Sequence, residues 1–80
     1  MPQYVLHHRH SAEECSVAFA AWRGFRSRLR GTTVLCSCRR GGHELWFVVD
    51  ADDAGAALGL LPPWLGARSS SARVEEVPIP

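Results

Sequence analysis

The residues best suited to chemistry are crowded into His8-Arg9-His10-Ser11-Ala12-Glu13-Glu14-Cys15, where a His-x-His pair is followed within one turn by a cysteine. Two imidazoles on one face of a strand, with a thiolate close by, are donors that suit zinc, nickel or copper. Ser11 with Glu14 three residues on forms a capping box, in which the hydroxyl takes one orphan helix amide and the carboxylate reaches back to the Ser11 amide. A helix is therefore expected to start at about Ala12, with Cys15 in its first turn, where aligned amide dipoles favour a thiolate. His43 and Cys38 are the candidates to complete the shell. The expected metal ligands are thus His8, His10, Cys15, His43 and Cys38, whereas Cys36 is expected to be a small buried hydrophobe that only packs.

Positioning these groups requires six elements. Gln3 to Arg9 alternates as a strand, with Tyr4, Leu6 and His8 on one face and Val5, His7 and Arg9 on the other. A first helix over about 12–25 carries Cys15, Phe19 and Trp22 as an apolar stripe supported by Ala18. Thr32 to Arg40 and His43 to Asp50 read as two strands joined by a tight Gly41-Gly42 turn, which pairs Cys38 with Leu45 and Cys36 with Phe47. Asp50 or Asp52 caps a second helix from near Asp53 that ends or kinks at Pro62-Pro63. Ser69-Ser70-Ser71 reads as a loop and Ala72 to Ile79 as the last strand. The order βαββαβ implies a single α+β domain over 1–80, ferredoxin-like, with an antiparallel sheet of strand order 4-1-3-2 and two helices on one face.

That topology brings the end of the first strand beside the start of the third, so His8, His10, Cys15, Cys38 and His43 are expected at one end of the domain. The opposite sheet face carries His7, Arg9, Leu35, Arg39, Trp46 and Val48. It supports a second reading, an enzyme or small-molecule binder with a pocket on the open face, in which His7 is acid or base and Arg9 or Arg39 holds an anion. No paired-carboxylate, Ser-His-Asp or Gly-rich phosphate signature accompanies it. Leu35, Trp46 and Val48 on an uncovered face also predict a homodimer packed sheet to sheet.

Charge argues against other partners. The net charge is +1, but residues 1–43 hold seven Arg against two acids, and residues 44–80 two Arg against six. Arg23, Arg26, Arg28 and Arg30 lie among Trp22 and Phe25, a mixture that can bind single strands, yet the near-zero net charge and the lack of an aromatic strand motif weigh against nucleic acid. No apolar run nears the roughly 20 residues of a bilayer span, and there is no secretory leader pattern, so a cytoplasmic location is expected. Three cysteines is an odd count in such a chain, and reduced thiols are expected.

The first-strand ending in histidines before Ser11-Ala12-Glu13-Glu14-Cys15, the Trp46-Phe47-Val48-Val49-Asp50 strand and the βαββαβ order resemble small bacterial domains of the dimeric α/β-barrel superfamily. They are similar in particular to members that are nickel-responsive or metal-binding. The resemblance implies a metal role for His8, His10 and Cys15. It does not fix an activity, since the superfamily also includes monooxygenases, isomerases and pure assembly modules.

Overall fold

The computed structural model describes residues 1–80. Four strands, β1 (Gln3–Arg9), β2 (Leu35–Cys36), β3 (Glu44–Asp50) and β4 (Ser69–Val74), form one antiparallel sheet in the order β2-β3-β1-β4. This is the strand order expected from the sequence. Three short helices, α1 (Cys15–Ala20), α2 (Ala54–Leu58) and α3 (Pro63–Gly66), complete an α+β architecture.

The alternation of β1 and β3 decides which face is covered. Tyr4, Leu6 and His8 are buried on β1, as are Leu45, Phe47 and Val49 on β3, and they join Ala51, Ala57, Leu61 and Leu65 beneath the helices. Leu6, Leu45 and Leu65 are at most 1% exposed, and full burial of such side chains contributes about 1.5–3 kcal/mol each. The core is small. Only 13 of 80 residues are buried, so a chain of this kind has much to gain from a further staple.

Several element boundaries differ from the expectation. The first helix is split into a 3-10 turn at Ala12–Glu14 and α1, and i to i−3 bonds from Trp22 to Phe19 and from Arg23 to Ala20 tighten its end before Gly24 turns the chain at φ 75°. Of the expected stripe, Phe19 is exposed, and Ala18 is the residue that is buried. Trp22 does reach the sheet, with its ring 6.0 Å from that of Phe47.

The second helix is likewise two pieces. Leu60 and Leu61 close α2 with i to i−3 bonds, and Pro63, which has no amide to lose, starts α3.

Strand β2 is two residues, not nine, and its register is Cys36 opposite Leu45 and Leu35 opposite Trp46. Gly41-Gly42 is therefore not a two-residue hairpin turn. Instead residues 37–43 form a longer loop with a 3-10 turn at Cys38–Arg40, because Ser37 offers the backbone a competing set of bonds. Arg39 and Arg40 stand in that turn, off the sheet face to which Arg39 was assigned by alternation. The tri-serine segment, expected as a loop, is the start of β4, with Ser69 opposite His8, Ser70 opposite His7 and Ser71 opposite Leu6. The strand ends at Val74, and Val77 and Ile79 lie exposed beyond it. No helix is long and apolar enough to cross a membrane.

Candidate metal centre

His10, Cys15, Cys38 and His43 each offer one ligand atom to a common point, and these atoms all lie within 4.8 Å of one another. Two segments distant in sequence supply them, residues 10–15 and 38–43, and each is anchored locally. His10 follows the last residue of β1, and its amide donates to the His43 carbonyl at 3.1 Å, which carries the β1–β3 ladder one pair further and ties two of these residues to each other.

Cys15 opens α1 behind the expected capping box, both halves of which form: Glu14 N–H donates to Ser11 Oγ at 3.3 Å and Ser11 N–H to Glu14 Oε1 at 3.0 Å. Glu14 is held ionised below its usual range chiefly by that Ser11 amide.

Cys38 and His43 ride on the loop closed by Ser37. The Ser37 amide donates to the Glu44 carbonyl at 2.9 Å, its carbonyl accepts from Gly42 at 3.0 Å, and its hydroxyl accepts from the Glu44 amide at 3.0 Å. Gly41 ends the 3-10 turn at φ 86°, a conformation that costs glycine nothing. His43 itself sits at φ 51°, uncommon for a residue with a Cβ, and such strain gathers where geometry serves a site.

His8 is part of the same construction but stands behind His10. Its Nδ1 lies 3.3 Å from the Leu65 carbonyl and 3.2 Å from Ser69 Oγ, and its Nε2 lies 3.0 Å from His10 Nδ1. A carbonyl can only accept, so the proton of a neutral His8 is on Nδ1. The His8 Nε2 lone pair must then accept from His10 Nδ1–H, and the lone pair of His10 is left on Nε2. That nitrogen is 3.5 Å from Cys38 Sγ, on the side where the ligand atoms converge. One backbone carbonyl thus sets two tautomers in series and aims a nitrogen lone pair at the centre, the arrangement by which outer groups orient metal-binding imidazoles.

The electrostatics of the centre favour neutral donors. Burial pushes His8 below the ordinary imidazole value against the opposing pull of the Leu65 carbonyl, and burial likewise lowers His10, helped by His43. The Cys38 thiol is pushed up to about 12 by burial and by the neighbouring Cys36 and Cys15 thiols, so without an ion it is protonated. All three cysteines are free. His43 Nδ1 is buried and has no hydrogen-bond partner, an uncompensated polar atom beside the converging donors.

Trp64 lies over His8 with ring centroids 5.9 Å apart. Arg68 stacks on Trp64 at 3.9 Å and reaches Glu14 at 3.8 Å, which links α3 to the turn that carries Cys15.

The open face is organised differently. His7 Nε2 bonds Glu44 Oε1 at 2.8 Å, Arg9 donates to the same oxygen at 3.2 Å, and His7 stacks on Trp46 with centroids 5.5 Å apart. His7 and Arg9 are thereby tied to one carboxylate, and Arg39 is not beside them. Of the arginine run, Arg28 donates to the Asp50 carbonyl.

No family model, curated protein or solved structure matches the chain. Among the site's supporting groups, Ser37, Ser69 and the Leu65 carbonyl carry no signal in the residue pattern. Ser69 lies in a run that reads as a loop, Ser37 is hidden between two cysteines, and a backbone carbonyl contributed from 57 residues away leaves no trace in spacing.

Proposed function

We propose that this protein binds one transition-metal ion through His10 Nε2, Cys15, Cys38 and His43, with His8 as the residue that orients His10, and that it holds or carries the ion rather than using it for catalysis. The observation that carries this reading is the convergence of two thiols and two imidazoles, from two anchored segments of the chain, to within 4.8 Å of one another. In a tetrahedral site with metal–nitrogen bonds of about 2.0–2.1 Å and metal–sulfur bonds of about 2.3 Å, a nitrogen and a sulfur stand about 3.6 Å apart. The His10 Nε2 to Cys38 Sγ separation of 3.5 Å is already that edge.

Two thiolates with two imidazoles are the donor set of zinc, with nickel and copper as competitors for the same atoms. Four protein donors fill a tetrahedral shell and leave no position for a substrate, which supports holding over catalysis. Binding must displace the Cys38 proton, so uptake releases acid and weakens as pH falls. A bound ion also adds to folding free energy, which a chain with only 13 buried residues can use.

The test is metal analysis of protein purified without a histidine tag and challenged in turn with zinc, nickel and copper. The expected result is about one ion per chain, lost on Cys38→Ser combined with His10→Ala. Tag-free protein that takes up none of the three, or double-variant protein that keeps its ion, would overturn the reading.

A further inference from the structure

Cys15 and Cys38 are both free and half-buried, and their sulfurs are among the four donor atoms that lie within 4.8 Å of one another. A disulfide has a sulfur–sulfur bond of about 2.05 Å, so the two sulfurs stand less than about 3 Å from bonding distance. Rotation of the two thiols between staggered positions moves sulfur by distances of that order. The backbone is held differently on the two sides. Cys15 starts α1 behind the capping box of Ser11 and Glu14, whereas Cys38 stands in a 3-10 turn beside the two-residue strand β2 at the sheet edge. The pair is far apart in sequence, so a bridge closes a long loop and not a small strained ring.

We propose that Cys15 and Cys38 are a redox pair: in the metal-free protein a peroxide joins them in a disulfide, and the centre then takes up no ion until it is reduced. The consequence for the ion rests on the metal reading above, whereas the bridge rests on the two sulfurs alone. The thiolate is the form of cysteine that binds metal, and a disulfide has none to offer. The bridged centre keeps only the imidazoles of His10 and His43, so one modification removes two of its four donors.

The step balances with hydrogen peroxide as the oxidant. One of the two thiols gives its proton to water, and its thiolate attacks a peroxide oxygen. The sulfur–oxygen bond forms, the oxygen–oxygen bond breaks, and the departing hydroxide takes up the proton. The second thiol is deprotonated in turn and attacks the sulfur of the sulfenic acid. As the sulfur–sulfur bond forms, the remaining oxygen leaves as hydroxide and becomes water. Two thiols are thus oxidised to one disulfide while one peroxide is reduced to two waters.

The experiment treats reduced, metal-free protein with equimolar hydrogen peroxide, maps the cysteines by mass spectrometry after alkylation, and measures zinc uptake before oxidation, after it and after reduction with dithiothreitol. The expected result is a Cys15–Cys38 bridge within one chain, also in Cys36→Ser. Zinc affinity should fall at least about 100-fold on oxidation and return on reduction. A bridge from Cys36 to Cys38, a bridge between chains, or cysteines oxidised without any bridge would overturn the pair. Undiminished zinc uptake by protein with the mapped bridge would overturn its control of the centre. Failure of the metal reading is distinguishable from failure of the pair, because reduced protein would then take up no zinc at the outset while the bridge is mapped without metal.

Discussion

At the scale of the residue, a fully buried histidine that is not among the converging ligands is the most demanding feature of the centre. His8 has no contact with water, so both ring nitrogens must be satisfied by protein, and they are satisfied in one direction only: Leu65 and Ser69 take its proton, and His10 gives one to it. Replacement by leucine fills the space but accepts nothing from His10, whereas glutamine can accept from His10 and donate to Leu65. His8→Leu should therefore weaken metal affinity by about 10- to 100-fold with one ion still bound at saturation, and His8→Gln should recover most of that loss, as read in competition titrations.

The same burial makes stability depend on pH. The imidazoles of His8 and His10 are held below 6.5, so below that value the unfolded chain binds protons that the folded chain refuses. Their contribution is complete above about 6.5 and is lost as pH falls through the lower folded values. Urea midpoints of metal-free protein should fall between pH 7 and pH 5, and fall less in His8→Leu. Glu44 acts at lower pH with the same sign, since the His7 and Arg9 bonds hold its carboxyl below the ordinary range and protonation breaks them.

At the scale of the element, the 37–43 loop decides whether Cys38 and His43 arrive together. A methyl group on Gly42 would lie 2.5 Å from Ser37 Oγ, the hydroxyl that accepts from Glu44, while Gly41 has open space but a φ of 86° that side chains resist. Gly41→Ala therefore isolates backbone strain from crowding. It should cost about 1–2 kcal/mol of metal-free stability and weaken metal binding in proportion, as measured by denaturation with and without zinc.

This loop also marks the limit of what the residue pattern reveals. Strand β1, the alternation of β3, the capping box and the gathering of His10, Cys15, Cys38 and His43 follow from local periodicity plus strand order, and the structure has them. The length of β2 does not, because Thr32 to Arg40 alternates plausibly while Ser37, through three backbone-directed bonds, removes it from the ladder. Neither does the place of His8, since a His-x-His pair on one face reads as two ligands. Only the position of Leu65 turns the first into the orienter of the second.

At the scale of the whole molecule, the sheet has one covered face and one that the chain does not cover. Leu35 is 72% exposed and Val48 is 58% exposed, and Trp46 beside them is shielded on one side by the His7 ring. Contiguous apolar surface on an open sheet is the usual mark of an interface, and packing a second copy sheet to sheet would bury it while leaving the converging His/Cys group, on the helix side, untouched. We therefore propose a homodimer through Leu35, Trp46 and Val48. The uneven charge of the two halves of the chain, basic before Glu44 and acidic after it, allows opposite signs to meet across such an interface.

Val48→Glu tests this cleanly, because a side chain already largely in water can become charged without harm to the monomer, whereas a carboxylate buried in a dimer without a partner costs several kcal/mol. Sedimentation equilibrium at micromolar concentration should give a dimer for the unmodified chain and a folded monomer for Val48→Glu, with the same zinc content in both. A folded monomer for the unmodified chain would leave the face to some other partner and rule out self-association as its cover.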